Sequence, residues 1–412
     1  MLRAVFTAIL WLVCSQINAG PTKLARFTIE TQDGIRTGCE LHTLDETGIS
    51  GTDANAQFKY ERFLELRREG RPLPPILTRD FLLLTTGDRI ALDPGASANL
   101  DGNRLTVWPV KSSLPDANAA GLNVYVPYLV AAFWSLPEGT DDAELFIARL
   151  QVESRKRDVV YLKNGDRIEG SLIALSAKTG SVMNSGGKRV ETPWSKISGI
   201  AWNTERSVRP RAKKAYARAV LSGGDRISFP ELRFDAKTRR FVGKTLIGAA
   251  LEFPEENLLA IDMHQDLAAN LAEMMPAKYE HRPYLGAAWP LARDSAATGH
   301  AMRLAGSAYE KGLGMHAPCR ASYKIDGKFE RFDALVGIDE AARRGRARVA
   351  LELDGKRIEL NDGKELTAKD APLIVRQDIR GVRELTLIVN LGTFGDVQAH
   401  VNWAKARLIK LK

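Results

Sequence analysis

Six histidines (His42, His264, His281, His300, His316 and His400) are the first residues to test for chemistry in this 412-residue chain. No two stand at the spacing that puts a pair of imidazoles on one helix face to hold zinc. No HExxH motif or Cys–His cluster occurs. There is no GxSxG nucleophile elbow and no phosphate-cradling P-loop. Asp339-Glu340 is a carboxylate pair by sequence. A glycosidase, however, needs two carboxyls facing each other across a sugar, about 5–10 Å apart, and neighbours on a strand point to opposite faces. The chain also lacks the βα alternation of a catalytic barrel. The residues point to binding chemistry and to no enzyme.

Sugar binding needs an aromatic face for the ring and polar groups for its hydroxyls. The stretch from Tyr309 to Asp339, YEKGLGMHAPCRASYKIDGKFERFDALVGID, offers both. Gly312 and Gly314 permit a tight loop, and Tyr323, Ile325, Phe329, Phe332 and Leu335 then follow at mostly alternating spacing, which predicts an antiparallel β meander. WPLARDS (Trp289 to Ser295) precedes this stretch. LELDGKRIEL (Leu351 to Leu360), IRGVRELTLIVN (Ile379 to Asn390) and VNWAKARLI (Val401 to Ile409) follow it. In this order the elements resemble the NPCBM family, a carbohydrate-binding module found beside family 98 glycoside hydrolases and in many secreted bacterial proteins. The resemblance covers about residues 282–412. It implies a galactose-binding-like jelly-roll β-sandwich that in some members binds galactose-type sugars, sometimes with a structural calcium. The chain departs from the pattern at Cys319-Arg320, where small or polar residues are expected, and at Asn402, where an acid is expected before Trp403.

Within this module Tyr309, Lys311, His316, Asp339, Asp396 and His400 are the candidate carbohydrate-binding residues, with His316 of the GLGMHA loop foremost by resemblance. Asp354 and Phe394 are further polar and aromatic candidates. Asp396, between glycines, is also the candidate calcium ligand. Trp403 alternates with apolar residues in the closing strand, so it reads as core. Asp354-Gly355 reads as a hairpin turn.

Four segments upstream share one pattern: ETQDGIRTGCEL (Glu30 to Leu41), LLTTGDRIAL (Leu83 to Leu92), VYLKNGDRIEGSL (Val160 to Leu172) and VLSGGDRISF (Val220 to Phe229). The last three carry an identical Gly-Asp-Arg-Ile. Each reads as a hairpin turning at glycine, with the Asp satisfying turn backbone groups. Each is followed by a second shared element: FKYERFLEL, VPYLVAAFW, TPWSKISGIAW and FPEENLLAI. The spacing is too irregular for a solenoid and suits small β-barrel or sandwich units, packed in pairs. The expected plan is all-β. Residues 20–75 form repeat 1 and 76–140 repeat 2. Residues 141–205 hold a short helix and repeat 3, with an Sm/SH3-like pattern. Residues 206–276 hold a basic linker, repeat 4 and a short helix over His264 to Met275. Residues 277–412 form the carbohydrate-binding sandwich. Thr140 is the expected cap of the first helix.

Met1-Leu2-Arg3, an apolar run from Ala4 to Val13, and CSQINAG predict a signal peptide over residues 1–19, hence a secreted, periplasmic or cell-envelope protein. No later run is long and apolar enough for a membrane helix. Cys39 and Cys319 read as buried free thiols. Residues 282–412 hold 23 Lys+Arg against 16 Asp+Glu, so the net charge of +9 belongs mostly to the C-terminal module. Export and the absence of a stacking-aromatic pattern argue against nucleic acid. The expected partner is a glycan, galactose-type or an acidic polysaccharide. The alternative is a structural or protein-interaction component of the cell envelope, with cell-surface proteins as partners.

Overall fold

The computed structural model describes residues 25–32, 34–51, 57–59, 62–184, 186–264, 267–283, 286 and 288–411. The expected signal peptide lies outside the described residues. The architecture is all-β: a body built from the four repeats, and a C-terminal jelly-roll sandwich.

Each Gly-Asp-Arg-Ile segment turns a hairpin. Phe81–Leu84 pairs with Arg89–Ala91, Asp158–Leu162 with Arg167–Leu175, and Tyr216–Leu221 with Arg226–Phe229. Gly87, Gly165 and Gly224 sit at φ of +86, +86 and +93°, where a Cβ is strained. The second shared element is the end of each repeat. In three repeats a 3₁₀ turn (Val126–Tyr128, Trp194–Lys196, Glu255–Asn257) leads into the last strand (Leu129–Phe133, Ile197–Ala201, Leu258–His264). In repeat 1 the last strand is Phe63–Arg68.

These last strands join the repeats. Leu129–Phe133 of repeat 2 pairs antiparallel with Ile197–Ala201 of repeat 3, Ala132 opposite Ile200. Phe63–Arg68 of repeat 1 pairs with Leu258–His264 of repeat 4, Leu66 opposite Ile261. The repeats are therefore joined in nested order: the second and third inside, the first and fourth outside. The apolar faces fuse into one core that includes Phe27, Phe63, Leu82, Leu129, Ile200, Phe229 and Ile261. Gly199 is glycine because a Cβ there would meet the Phe133 ring at 2.2 Å.

Repeats 2 and 4 meet through their Gly-Asp-Arg-Ile hairpins. Asp88 accepts hydrogen bonds from the Ser228 N–H (3.1 Å) and hydroxyl (2.7 Å), and Asp225 accepts one from the Ala91 N–H at 2.8 Å. Both carboxylates are buried. Burial pushes the Asp225 carboxyl up to about 6. The turn role expected for these aspartates is thus replaced, in two of three repeats, by a bond across a repeat boundary. Asp166 of repeat 3 stays exposed and bonds to Asn164 beside it.

Two expectations about helices need correction. The helix after Thr140 forms over Ala143–Val152, but its cap is Asp142, which accepts from the Leu145 N–H at 3.0 Å. The helix expected over His264 to Met275 does not form. Ala268–Asn270 is a strand paired with Arg407–Ile409, followed by a single 3₁₀ turn, Leu271–Glu273. A ready sheet edge satisfies the backbone of a segment too short to hold a helix alone.

In the C-terminal module one sheet runs Ala292–Arg293, Gly312–His316, His400–Lys410, Phe329–Ile338, Leu373–Asp378. The facing sheet runs Lys278–His281, Cys319–Lys324, Glu384–Leu391, Arg346–Leu353, Lys356–Glu359. Their inner faces bury Leu313, Met315, Phe332, Trp403, Tyr323 and Leu387. Trp403 is core, as its alternation predicts, and Cys39 and Cys319 are both buried and outside any disulfide. Gly314 is a close approach: a Cβ would lie 2.4 Å from the Ala296–Ala297 backbone.

Charged pairs fix the module to the body. Glu310 of the module accepts from Arg226 (2.5 Å) and Arg218 (3.2 Å) of repeat 4. Lys405 donates to Glu65 of repeat 1 at 2.5 Å, and Arg67 holds the same carboxylate. Arg303 pairs with Glu144, and His300 Nε2 lies 2.5 Å from Asp142, both at the start of the helix. Arg376 and Arg407 reach Glu30. Burial raises the Glu65 carboxyl, but Arg67 and Lys405 outweigh it and hold the group far below the usual range.

Candidate functional site

The antiparallel register of Gly312–His316 on His400–Lys410 sets His316 opposite His400. Their Nδ1 atoms lie 3.1 Å apart, so one must donate and the other accept. The two remaining ring nitrogens then offer one N–H and one lone pair. Trp289 lies over this pair, its ring 4.6 Å from His316 and 5.1 Å from His400. The Trp289 loop is held from behind: its N–H donates to His281 Nδ1 at 3.1 Å, and its carbonyl accepts from the Tyr279 hydroxyl at 3.1 Å. His281 must therefore carry its proton on Nε2, which is buried without a hydrogen-bond partner. Its ring is 5.5 Å from His316.

Burial, reinforced by the neighbouring His400 and His281, lowers the His316 pKa to about 4, and burial lowers that of His400. At neutral pH both rings are uncharged and amphoteric, as hydroxyl recognition requires. Asp396 is close enough to be felt at His316, and Phe394 of the same loop is half exposed under the Arg346 guanidinium, 4.6 Å from its ring. An indole face, two neutral imidazoles and a carboxylate form the set that sugar chemistry asks for.

The sequence candidates divide between places. His316, His400 and Asp396 belong to this cluster. Asp339 lies beside it but is buried and committed: it accepts from the Asn402 amide (2.6 Å), the Arg303 N–H (3.2 Å) and the Ala341 N–H (3.0 Å). This explains Asn402, since an acid there would set two carboxylates against each other. Tyr309 and Lys311 lie beyond the other end of the Gly312–His316 strand, Lys311 about 16 Å from His316 at strand rise, where it pairs with Glu273 and Asp294. Asp354 caps a hairpin by accepting from the Arg383 and Glu384 N–H groups. For Asp396 as a calcium ligand, no group of three or more His, Cys, Asp or Glu among the described residues is placed to hold a metal ion. Sequence reasoning missed Trp289 and His281. Trp289 stood in the WPLARDS lead-in, and an aromatic just ahead of a binding loop was the available signal.

Residues 275–409 match the NPCBM/NEW2 domain family, which agrees with the resemblance over 282–412. A comparison with curated proteins gives no match. Among solved structures, the CBM51 of Clostridium perfringens GH95 in complex with methyl-galactose is 20% identical, with 34% of this chain and 99% of that one covered (TM-score 0.31). The CBM51-2 and INT domains of Clostridium perfringens ZmpB in complex with GlcNAc are 18% identical, covering 44% of each chain (TM-score 0.32). The tandem CBM51 modules of the family 98 glycoside hydrolase of Streptococcus pneumoniae are 12% identical, covering 80% and 88% (TM-score 0.31).

Proposed function

We propose that this chain is an exported, non-catalytic glycan-binding protein. Its C-terminal sandwich holds a galactose-type sugar against Trp289, with His316, His400 and Asp396 meeting the hydroxyls. The observation that carries this is the Trp289–His316–His400 cluster, built by strand register at one end of a sandwich matching a carbohydrate-binding family. The sugar ring stacks on the indole, and the paired imidazoles present one donor and one acceptor. The body acts as a scaffold that fixes the direction of this face. Export is tested by intact mass, a mature chain beginning at Gly20 being the expected product.

The test of binding is a glycan array on the full chain, then calorimetry with methyl-galactoside on the wild type and Trp289→Ala. Loss of the stacking face lowers affinity by about 10-fold or more while the chain stays folded, because the partly buried indole lies outside the sandwich core. A folded wild type that binds no saccharide on the array would refute the proposal. It would leave the second reading, a structural or protein-interaction component of the cell envelope. The charged pairs that lock the module to the body favour that reading.

A further inference from the structure

The seam between the body and the sandwich holds a cleft of about 950 Å³, separate from the Trp289 cluster. That volume is in the range of ligand-binding pockets. Its wall carries a flat aromatic pair: the Tyr216 and His264 rings stack at 4.6 Å with 5° between their planes, both half buried. Tyr309 lines the cleft as well. Eight lysines and arginines line it against three carboxylates, Asp262, Glu273 and Glu310. Four of those cations are already satisfied: Arg67 and Lys405 by Glu65, Arg407 by Glu30, and Lys311 by Asp294 and Glu273. Lys213 and Lys214, by contrast, stand exposed at the rim, at the end of the basic stretch NTERSVRPRAKK. The cationic surroundings are felt at the platform. Burial first, then the Arg218 and Lys311 charges, lower the His264 pKa to about 4, leaving a neutral stacking surface below a positive rim.

We infer that this cleft is a second saccharide subsite that takes an acidic sugar unit, carboxylated or sulfated. Tyr216 stacks on the ring, and Lys213 and Lys214 meet the anion. The inference rests on the glycan-binding reading above. It also gives a place to Tyr309 and Lys311, which the Trp289 cluster leaves unused.

The experiment is calorimetry on the full chain with three probes of equal length: an oligogalacturonate, a sulfated galactan oligosaccharide and a neutral galacto-oligosaccharide. Inorganic polyphosphate serves as a competitor. The variants are Lys213→Ala/Lys214→Ala, Tyr216→Ala and Trp289→Ala. The expected result is binding of one anionic probe that weakens about 10-fold or more in both seam variants, while the neutral probe binds them as it binds the wild type. The arm that responds identifies carboxylate or sulfate. Three results would overturn the inference: anionic binding unchanged in the seam variants, a neutral probe that binds while neither anionic probe does, or polyphosphate binding as tightly and insensitive to Tyr216. Failure of all three saccharides on folded protein would instead overturn the parent reading.

Discussion

Replacing Glu310 by glutamine tests how the sandwich is held. The Glu310 carboxylate sits among three arginines of the body, accepting from Arg226 and Arg218 and lying within the field of Arg89. Burial raises its pKa, but Arg218 and Arg226 outweigh this and hold it at about 2, against an ordinary 4.5. That difference corresponds to about 3 kcal/mol at neutral pH. Breaking a buried pair from one side costs about 3–5 kcal/mol. The group is one-quarter exposed, and the Arg226 guanidinium keeps the carbonyls of Pro74, Pro75 and Gly224. The expected loss is therefore about 2–3 kcal/mol at pH 7. Because the folded pKa is depressed, the contribution is full above the unfolded value and lost as pH falls through about 2. By pH 3 the gap between wild type and variant shrinks to less than half. Urea titration followed by tryptophan fluorescence at both pH values reads the numbers, and small-angle scattering reads whether the module stays docked. An unchanged urea midpoint at pH 7, or a gap equal at pH 3 and pH 7, would refute the reasoning.

Two further outcomes follow from the same structure. Asp88→Ala removes a buried acceptor of two Ser228 bonds and lowers stability by about 2–3 kcal/mol, whereas Asp166→Ala, at the same motif position but exposed, changes it by less than about 0.5 kcal/mol; thermal or urea unfolding of the two variants side by side checks the contrast. His316 has a folded pKa of about 4 against an ordinary 6.5, so its contribution is present above 6.5 and lost as pH falls toward 4. The stability gap between wild type and His316→Ala should therefore shrink by about 2 kcal/mol across that window, with galactoside affinity falling alongside, and a gap that stays constant from pH 7 to pH 4 would count against a buried neutral imidazole pair.

Much of the fold was legible because its signals are local. A glycine at positive φ before Asp-Arg-Ile announces a hairpin, and the alternation around Trp403 announces a core strand. The repeated Gly-Asp-Arg-Ile announced where three of the hairpins turn. What pairs with what was illegible, since Leu66 meets Ile261 and Asp88 meets Ser228 through contacts no local pattern encodes. The same holds for the segment after His264. Its leucine spacing fits a helix, and only the free edge at Arg407–Ile409 decides for a strand. In the site, His316 was legible from its loop and His400 and Asp396 from the module. Trp289 was not, because its value lies in standing over a histidine pair formed by residues far along the chain.

The nested order of the repeats has a consequence for how the chain comes to be folded. The inner strands around Ala132 and Ile200 can meet once repeat 3 is made, closing a modest loop. The outer pairing must wait for Ile261. The Gln32 side chain waits longer still, for Glu330 and the Lys410 carbonyl near the far end. Loop closure of this reach is slow, and until it happens the first repeat presents unpaired strand edges. During vectorial synthesis the first repeat emerges before the strands that complete it, and the bracket closes outward from the inner repeats.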